Sequence, residues 1–251
     1  MKLLVKKILS LFNYQINKLK NVEVINTHLH LPIKEKDSDW NLNTKAFIKS
    51  ENKFDDFLTK VAKYSLIQLS KHILKQKKVY DFVECGCWKG HSSYILAELI
   101  KKNKKKINLH IFDSFEGLSK ASKKDSFYFN KTNLEQKKIK EHFSSSEFFV
   151  KKKVLGNYNF IKTYKGWIPK KFPEIKNKKF SLIFIDLCQY KPTLDSLKFF
   201  YPRLVKGGVI ICRSYNSSAF PGETYAWNEY FKNKKINFFH KEVLNGCFLI
   251  K

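Results

Sequence analysis

The stretch VYDFVECGCWKGHSSYILAEL, from Val79 to Leu99, limits the fold more than any other part of the chain. Its first half is an apolar run that ends at Gly86, and from His91 the apolar residues recur at helical spacing. Such a run reads as a buried strand, the glycine as a turn and the remainder as a helix. The same succession returns downstream. INLHIFDS (107–114), NFIKTYKG (159–166), FSLIFIDL (180–187) and KGGVIICRSY (206–215) read as strands, with helices at 91–103, 132–147, 192–205 and 223–232. Strand–helix alternation calls for parallel strands with helices over both faces, because each crossover must pack back onto the sheet. INFFHKEV and GCFLIK, around Asn245-Gly246, add a hairpin. The expected fold is α/β: a doubly wound, Rossmann-like, mostly parallel seven-stranded sheet with an antiparallel C-terminal hairpin.

A chain of 251 residues suits one such domain with an extra segment. From Phe54 to Leu74 the apolar residues keep a helical period, so the division expected is an N-terminal helical and irregular extension over 1–53 and a single domain over 54–251. Residues 21–50 show no period and read as irregular. His28 and His30 alternate as ligands on a strand do, but no third ligand is near. Residues 1–20, MKLLVKKILSLFNYQINKLK, set Lys among Leu, Ile and Phe at helical spacing, and Lys6 and Lys7 break any signal-peptide core. Two readings stand for this helix: it lies on an anionic membrane surface, or it packs on the body or on a second subunit of a homodimer.

The net charge of +27 invites an anionic partner, yet only Arg203 and Arg213 of the 49 basic residues are arginines. Base reading and planar phosphate grips favour arginine, so nucleic acid is disfavoured and most lysine clusters read as solvated surface. Five cysteines at irregular spacing suggest no disulfide framework and fit a reducing cytoplasm. No apolar run is long enough to span a membrane.

Glu84, Gly86 and Gly90 form E-x-G-x-x-x-G at the strand–helix turn. Gly86 lets the backbone turn sharply and approach a ligand, the helix after Gly90 aims free N–H groups at it, and Ser92 and Ser93 are placed to cap those groups. The dinucleotide pattern needs a glycine where Glu84 stands, and a carboxylate repels pyrophosphate. It suits a cation instead, such as a methionine amino group or a sulfonium. Cys85 and Cys87 become small flanking residues. Asp113 ends the second strand, where an acid takes ribose hydroxyls.

At this point the chain resembles the macrocin O-methyltransferase family, S-adenosylmethionine-dependent enzymes that methylate sugar hydroxyls. The likeness covers roughly residues 60–231 through DFVECGCWKG, FDSFEGL, YKGWIPKKFP, IDLCQYKPTLDSLKFFYPRLVKGGVII and YAWNEYF. It implies a class I methyltransferase fold with S-adenosylmethionine as donor and S-adenosylhomocysteine as product. By position it implies that Glu84, Gly86, Trp88 and Gly90 line the methionine end, that Asp113 and Ser114 meet the ribose, that Gly166 and Trp167 lie near adenine, and that Asp186 faces the reacting centre. Ser92 joins the cofactor set as the helix cap.

The departures concern metal. The family's Asp-x-Asp-x-Tyr reads Asp186-Leu187-Cys188-Gln189-Tyr190 here, and its Asp-Asp-Tyr reads Arg213-Ser214-Tyr215. The family's carboxylates hold a divalent ion, which requires hard oxygen ligands. Cys188 and Arg213 are neither, so no metal is expected. Arg213 then supplies positive charge, either orienting an anionic acceptor or stabilising the oxygen as it loses its proton. Asp186 is the expected base, with Tyr190 or Tyr215 as substitutes; Tyr190, Arg213 and Tyr215 form the expected acceptor site. The acceptor expected is a sugar hydroxyl or related small anionic acceptor, a nucleotide-linked or surface-polysaccharide precursor. Two rivals are an RNA methyltransferase and a cofactor-binding partner protein without catalysis.

Overall fold

The computed structural model describes residues 37–51, 56–242 and 245–251, with no side-chain account of 56–59. Residues 1–20, with the membrane or subunit reading attached to them, and His28 and His30 lie outside the described residues. Two units are distinguished, residues 1–40 and 41–251. In the first, the described residues are 37–40, where Asp37 Oδ1 accepts hydrogen bonds from the N–H groups of Asp39 (2.7 Å) and Trp40 (3.2 Å). This carboxylate caps helix α1 (Ser38–Lys49).

The reading of 21–50 as irregular fails over α1. Its apolar residues are sparse, but Ala46 and Asn43 are fully buried in the larger unit. Tertiary burial, not a periodic stripe, holds this helix. Helix α2 (Asp56–Leu74) follows.

The sheet has seven strands in the order β3-β2-β1-β4-β5-β7-β6. They are β1 (Asp81–Cys85), β2 (Leu109–Asp113), β3 (Ile161–Lys165), β4 (Phe180–Ile185), β5 (Leu204–Cys212), β6 (Phe238–Lys241) and β7 (Cys247–Ile250). The first five are parallel, and β7 inserts antiparallel between β5 and the edge strand β6. Every strand read from the sequence is present, generally shorter by a residue or more at its ends.

Alternation along the strands sorts two cores. Phe82, Leu182 and Phe184 face α2 and α3 (His91–Lys102), while Val83, Cys85, Ile183 and Ile185 face α6 (Tyr190–Phe200) and α7 (Pro221–Phe231). The chain thus leaves β1 toward one face and β4 toward the other. These adjacent strands make the topological switch point, outside whose carboxyl ends ligands bind.

The lysine-rich stretch before β3 holds a short helix α4 (Ser126–Phe129), α5 (Asn133–His142) and a π-helix (Phe149–Leu155). Thr132 and Glu135 close a capping box at the start of α5. The helix ends at His142 rather than 147, because the chain turns at Phe143 to reach the crevice. All five cysteines are free and buried.

Candidate active site

The loops after β1, β2, β4 and β5 meet at the switch point. Each carries one non-glycine residue in the left-handed region: Trp88 (φ 46°), Phe115 (φ 59°), Cys188 (φ 61°) and Asn216 (φ 63°). Such backbone costs about 1 kcal/mol or more per residue and persists only where neighbours fix it. Thr224 Oγ1 accepts from the Asn216 N–H (2.7 Å), and two carboxylates tie the other three turns. Asp113 Oδ2 accepts from the N–H groups of Cys87 (2.7 Å) and Trp88 (2.9 Å), and Oδ1 accepts from Phe115 (2.7 Å). Glu223, on the first turn of α7, accepts from the N–H groups of Leu187 and Cys188 (2.6 Å each) and Ser214 (2.9 Å), and from the Cys212 thiol (3.0 Å). Glu223 was not singled out from the sequence. Its signal is an acid just inside the helix that starts at Pro221-Gly222.

Gly86 is obligatory. Its φ is +85°, and a Cβ there would lie 2.1 Å from the carbonyl oxygen of Asp186. The tight turn read at this glycine is therefore present, and the close approach is to the β4 loop.

Two adjoining cavities open here. The first, about 170 Å³, runs from Gly86 and Trp88 past Asp113 and Ser114 to Gly166 and Trp167, with Gln189 on its far side. Gln189 is a residue the sequence reading missed; it is bound in both directions to Ser119. Ser114 Oγ donates to the Gly117 carbonyl (3.1 Å). Trp88 packs on Phe143, and its indole N–H donates to the His142 carbonyl at 3.1 Å. The residues expected to meet ribose, adenine and the methionine end thus share one wall, apart from Glu84 and Gly90.

Glu84 stands behind that wall. It is fully buried, lines neither cavity, and takes hydrogen bonds from Ser92 Oγ (2.5 Å) and from Ser93 Oγ. Burial pushes its carboxyl up to about 7. This corrects the helix-cap reading: Gly90 is the N-cap of α3 with no side-chain cap, and both serines serve Glu84. The alternation of β1 turns Glu84 toward α3, the same face as Phe82.

The second cavity, about 290 Å³, shares Gly86, Trp88, Phe143, Asp186 and Cys188 with the first and adds Lys63, His91, Ser92, Arg213, Ser214 and Asn245. Asp186 Oδ2 accepts from Lys63 Nζ at 2.8 Å. Among the described residues, the Arg213 guanidinium has no hydrogen-bond or ion-pair partner. His91 is neutral: burial first, then Lys63, holds its imidazole down to about 3. The Asn43 amide donates to the Lys60 carbonyl (2.6 Å), which turns Asn43 Oδ1 to His91 Nε2 (2.8 Å) and leaves Nδ1 as the lone pair, buried and unpartnered.

Two expected acceptor residues lie elsewhere. Tyr215 is 6% exposed, packs edge-on to Trp227 and Phe239, donates to Asn228 Oδ1 (3.1 Å) and lines neither cavity. Tyr190 donates to Glu229 Oε2 (2.7 Å) beneath Lys124 and also lines neither. Neither tyrosine is brought into the cavities that Asp186 and Arg213 line. Lys63 was missed, although a signal exists: Lys60, Lys63, Ile67, Ser70 and Leu74 form one buried helical stripe, and a lysine within such a stripe needs a partner.

Among the described residues no three His, Cys, Asp or Glu side chains are grouped to hold a metal ion, and no helix is long and apolar enough to cross a membrane. No curated protein matches the chain. Solved structures do. The O-methyltransferase NovP is similar with a TM-score of 0.64 at 17% identity, over 75% of this chain and 80% of NovP. CalS11, a calicheamicin methyltransferase, is similar with a TM-score of 0.52 at 14% identity, over 87% of this chain and 94% of its own. At these identities the likeness establishes the fold. The family model described as macrocin-O-methyltransferase (TylF) matches residues 18–247, wider than the span read from the motifs. The chain belongs to the macrocin O-methyltransferase family and is an S-adenosylmethionine-dependent O-methyltransferase.

Proposed function

We propose that this enzyme methylates a hydroxyl of a sugar or related small anionic acceptor, with a nucleotide-linked or surface-polysaccharide precursor as the leading class, and that it does so without a divalent metal. The observation that carries the reading is Arg213: an always-charged guanidinium on the wall of the second cavity, with no protein partner among the described residues. It fits a phosphate or carboxylate on the acceptor. The sugar specificity follows the family, whose described member acts on macrocin.

S-adenosylmethionine, when bound, supplies an electrophilic methyl group whose C–S bond breaks with its electron pair left on sulfur. The first cavity suits it: Asp113 retains acceptor capacity for a ribose hydroxyl, Ser114 lies beside it, and Gly166 and Trp167 offer backbone and an aromatic face to adenine. Asp186 lines both cavities, so it stands between donor and acceptor. Its Oδ1 has no protein partner among the described residues and is the atom assigned to take the acceptor's hydroxyl proton as the oxygen bonds to the methyl carbon. Arg213 holds the acceptor's anionic group. Alignment of this kind contributes about 7–11 kcal/mol to lowering a barrier.

The test is methyl transfer from labelled S-adenosylmethionine to a panel of nucleotide-linked sugars. Turnover that survives EDTA, and a fall of about 100-fold or more in kcat/KM for Arg213→Ala, are expected. EDTA inhibition relieved by Mg²⁺ refutes the metal-free reading.

A further inference from the structure

The family's divalent ion does not fit the residues present. Of the four aligned positions only Asp186 is a carboxylate; the others are Cys188, Arg213 and Ser214. Glu223 reaches the same region from α7, but its oxygens are committed to three backbone N–H groups and a thiol, and it is fully buried. What does stand at Asp186 is an ammonium. Lys63 comes from α2, outside every motif block, is 8% exposed, and sets Nζ 2.8 Å from Asp186 Oδ2 and 4.8 Å from the Phe184 ring centroid. The ammonium end of this pair is the more buried one, and Asp186 keeps its other side open to the cavities. Phe184 fixes the cation from the sheet side, and the stripe through Ile67, Ser70 and Leu74 fixes the helix that carries it.

Resting on the methyl-transfer reading, we propose that Lys63 is the fixed cation of the reaction centre and takes, beside Asp186, the part the family gives to a divalent ion. This separates two roles the sequence had assigned to Arg213 alone. Lys63, bound to Asp186 Oδ2, holds that carboxylate with Oδ1 left for the acceptor oxygen, and its charge favours that oxygen as the proton leaves. Arg213, unpartnered, grips the acceptor. No metal enters the step: the proton passes from the acceptor hydroxyl to Asp186, and Lys63 keeps its own protons throughout.

The experiment uses the full chain. Mn²⁺ binding is followed by electron paramagnetic resonance with and without S-adenosylhomocysteine in wild type, Lys63→Glu and Lys63→Glu/Asp186→Asn. Wild type is expected to bind no Mn²⁺ that depends on Asp186 up to millimolar concentration. Lys63→Glu, with its ammonium gone and a second carboxylate in its place, is expected to gain a site that the double variant loses. An Asp186-dependent Mn²⁺ site in wild type overturns the proposal, and so does a folded Lys63→Glu protein that binds no more Mn²⁺ than wild type. Calorimetric titration of S-adenosylhomocysteine into wild type tests the donor reading separately, and its failure leaves the metal arm decisive for Lys63. With a turned-over acceptor, Lys63→Met is expected to lower kcat about 100-fold or more, about 2.7 kcal/mol in the barrier. Donor affinity is expected to stay within about threefold, and Lys63→Arg to recover about tenfold, a split that a purely structural lysine does not give. Unchanged kcat in Lys63→Met overturns the assignment.

Discussion

The two cavities share a wall and are built by different means. The first is made largely of backbone turns: Gly86 and Trp88 after β1, Ser114 and Gly117 after β2, and Gly166 after β3, with Asp113 tying the first two turns together. The second is made of side chains that arrive separately, Lys63 from α2, His91 from α3, Asp186 after β4, Arg213 after β5 and Asn245 from the hairpin. A backbone cradle is encoded by short contiguous motifs. A side-chain cluster is encoded by the topology that brings distant segments together.

The contrast breaks hardest at Gly86, in a turn that both cavities need. Gly86→Ala is expected to abolish donor binding, with about 100-fold or greater loss of S-adenosylhomocysteine affinity by calorimetry, because a Cβ 2.1 Å from a carbonyl oxygen forces β1 and β4 apart. If Gly86→Ala binds the donor normally, the turn is not the cradle. Glu223→Ala comes next. It strands the N–H groups of Leu187, Cys188 and Ser214, at about 1–3 kcal/mol for each buried donor, so a loss of about 4 kcal/mol is expected in denaturant unfolding. The second cavity should suffer more than the first: the Asp186 and Arg213 loops lose their common anchor while the Asp113 ties remain.

Glu84 gives a pH-dependent effect of somewhat smaller size. Its folded carboxyl is raised from 4.5 to about 7 by burial, so the native state holds a proton that the unfolded chain releases earlier. Its contribution to stability is fully present below pH 4.5 and is lost as pH rises through about 7, up to about 3 kcal/mol. Glu84→Gln is expected to flatten that slope in melts run from pH 5 to 8; an unaltered slope assigns the pH dependence elsewhere. The smallest effects belong to the two tyrosines. Tyr190→Phe and Tyr215→Phe each remove one hydroxyl hydrogen bond outside both cavities, so turnover should be unchanged; stability should fall by about 1 kcal/mol for the part-buried Tyr215 bond and by less for the exposed Tyr190 bond. A large drop in kcat for either would return that tyrosine to the acceptor site.

Legibility followed the same division. E-x-G-x-x-x-G placed the turn, Asp113 fell at the end of β2 as read, and Gly166 and Trp167 joined them in one cavity. Ser92 and Ser93 looked like helix caps because serine after a glycine turn usually is one, yet the buried carboxylate beside them competed for both hydroxyls. Helix α1 was unreadable because its apolar content is low and its support is tertiary. Lys63 and Glu223 escaped because neither belongs to a motif; each matters through a partner more than 30 positions away.

Sequence alone determined the strand–helix alternation, the parallel sheet and the glycine turn after β1. All three follow from local periodicity and from glycines at positions where the backbone has no alternative. Only the tertiary structure decided that Glu84 lies under the cradle rather than in it, that Tyr190 and Tyr215 face away, and that an ammonium from α2 meets Asp186. Those outcomes depend on which face a strand turns inward and on which helix the chain lays over it. No window of neighbouring residues carries that information, because the contacts are made across the sheet rather than along the chain.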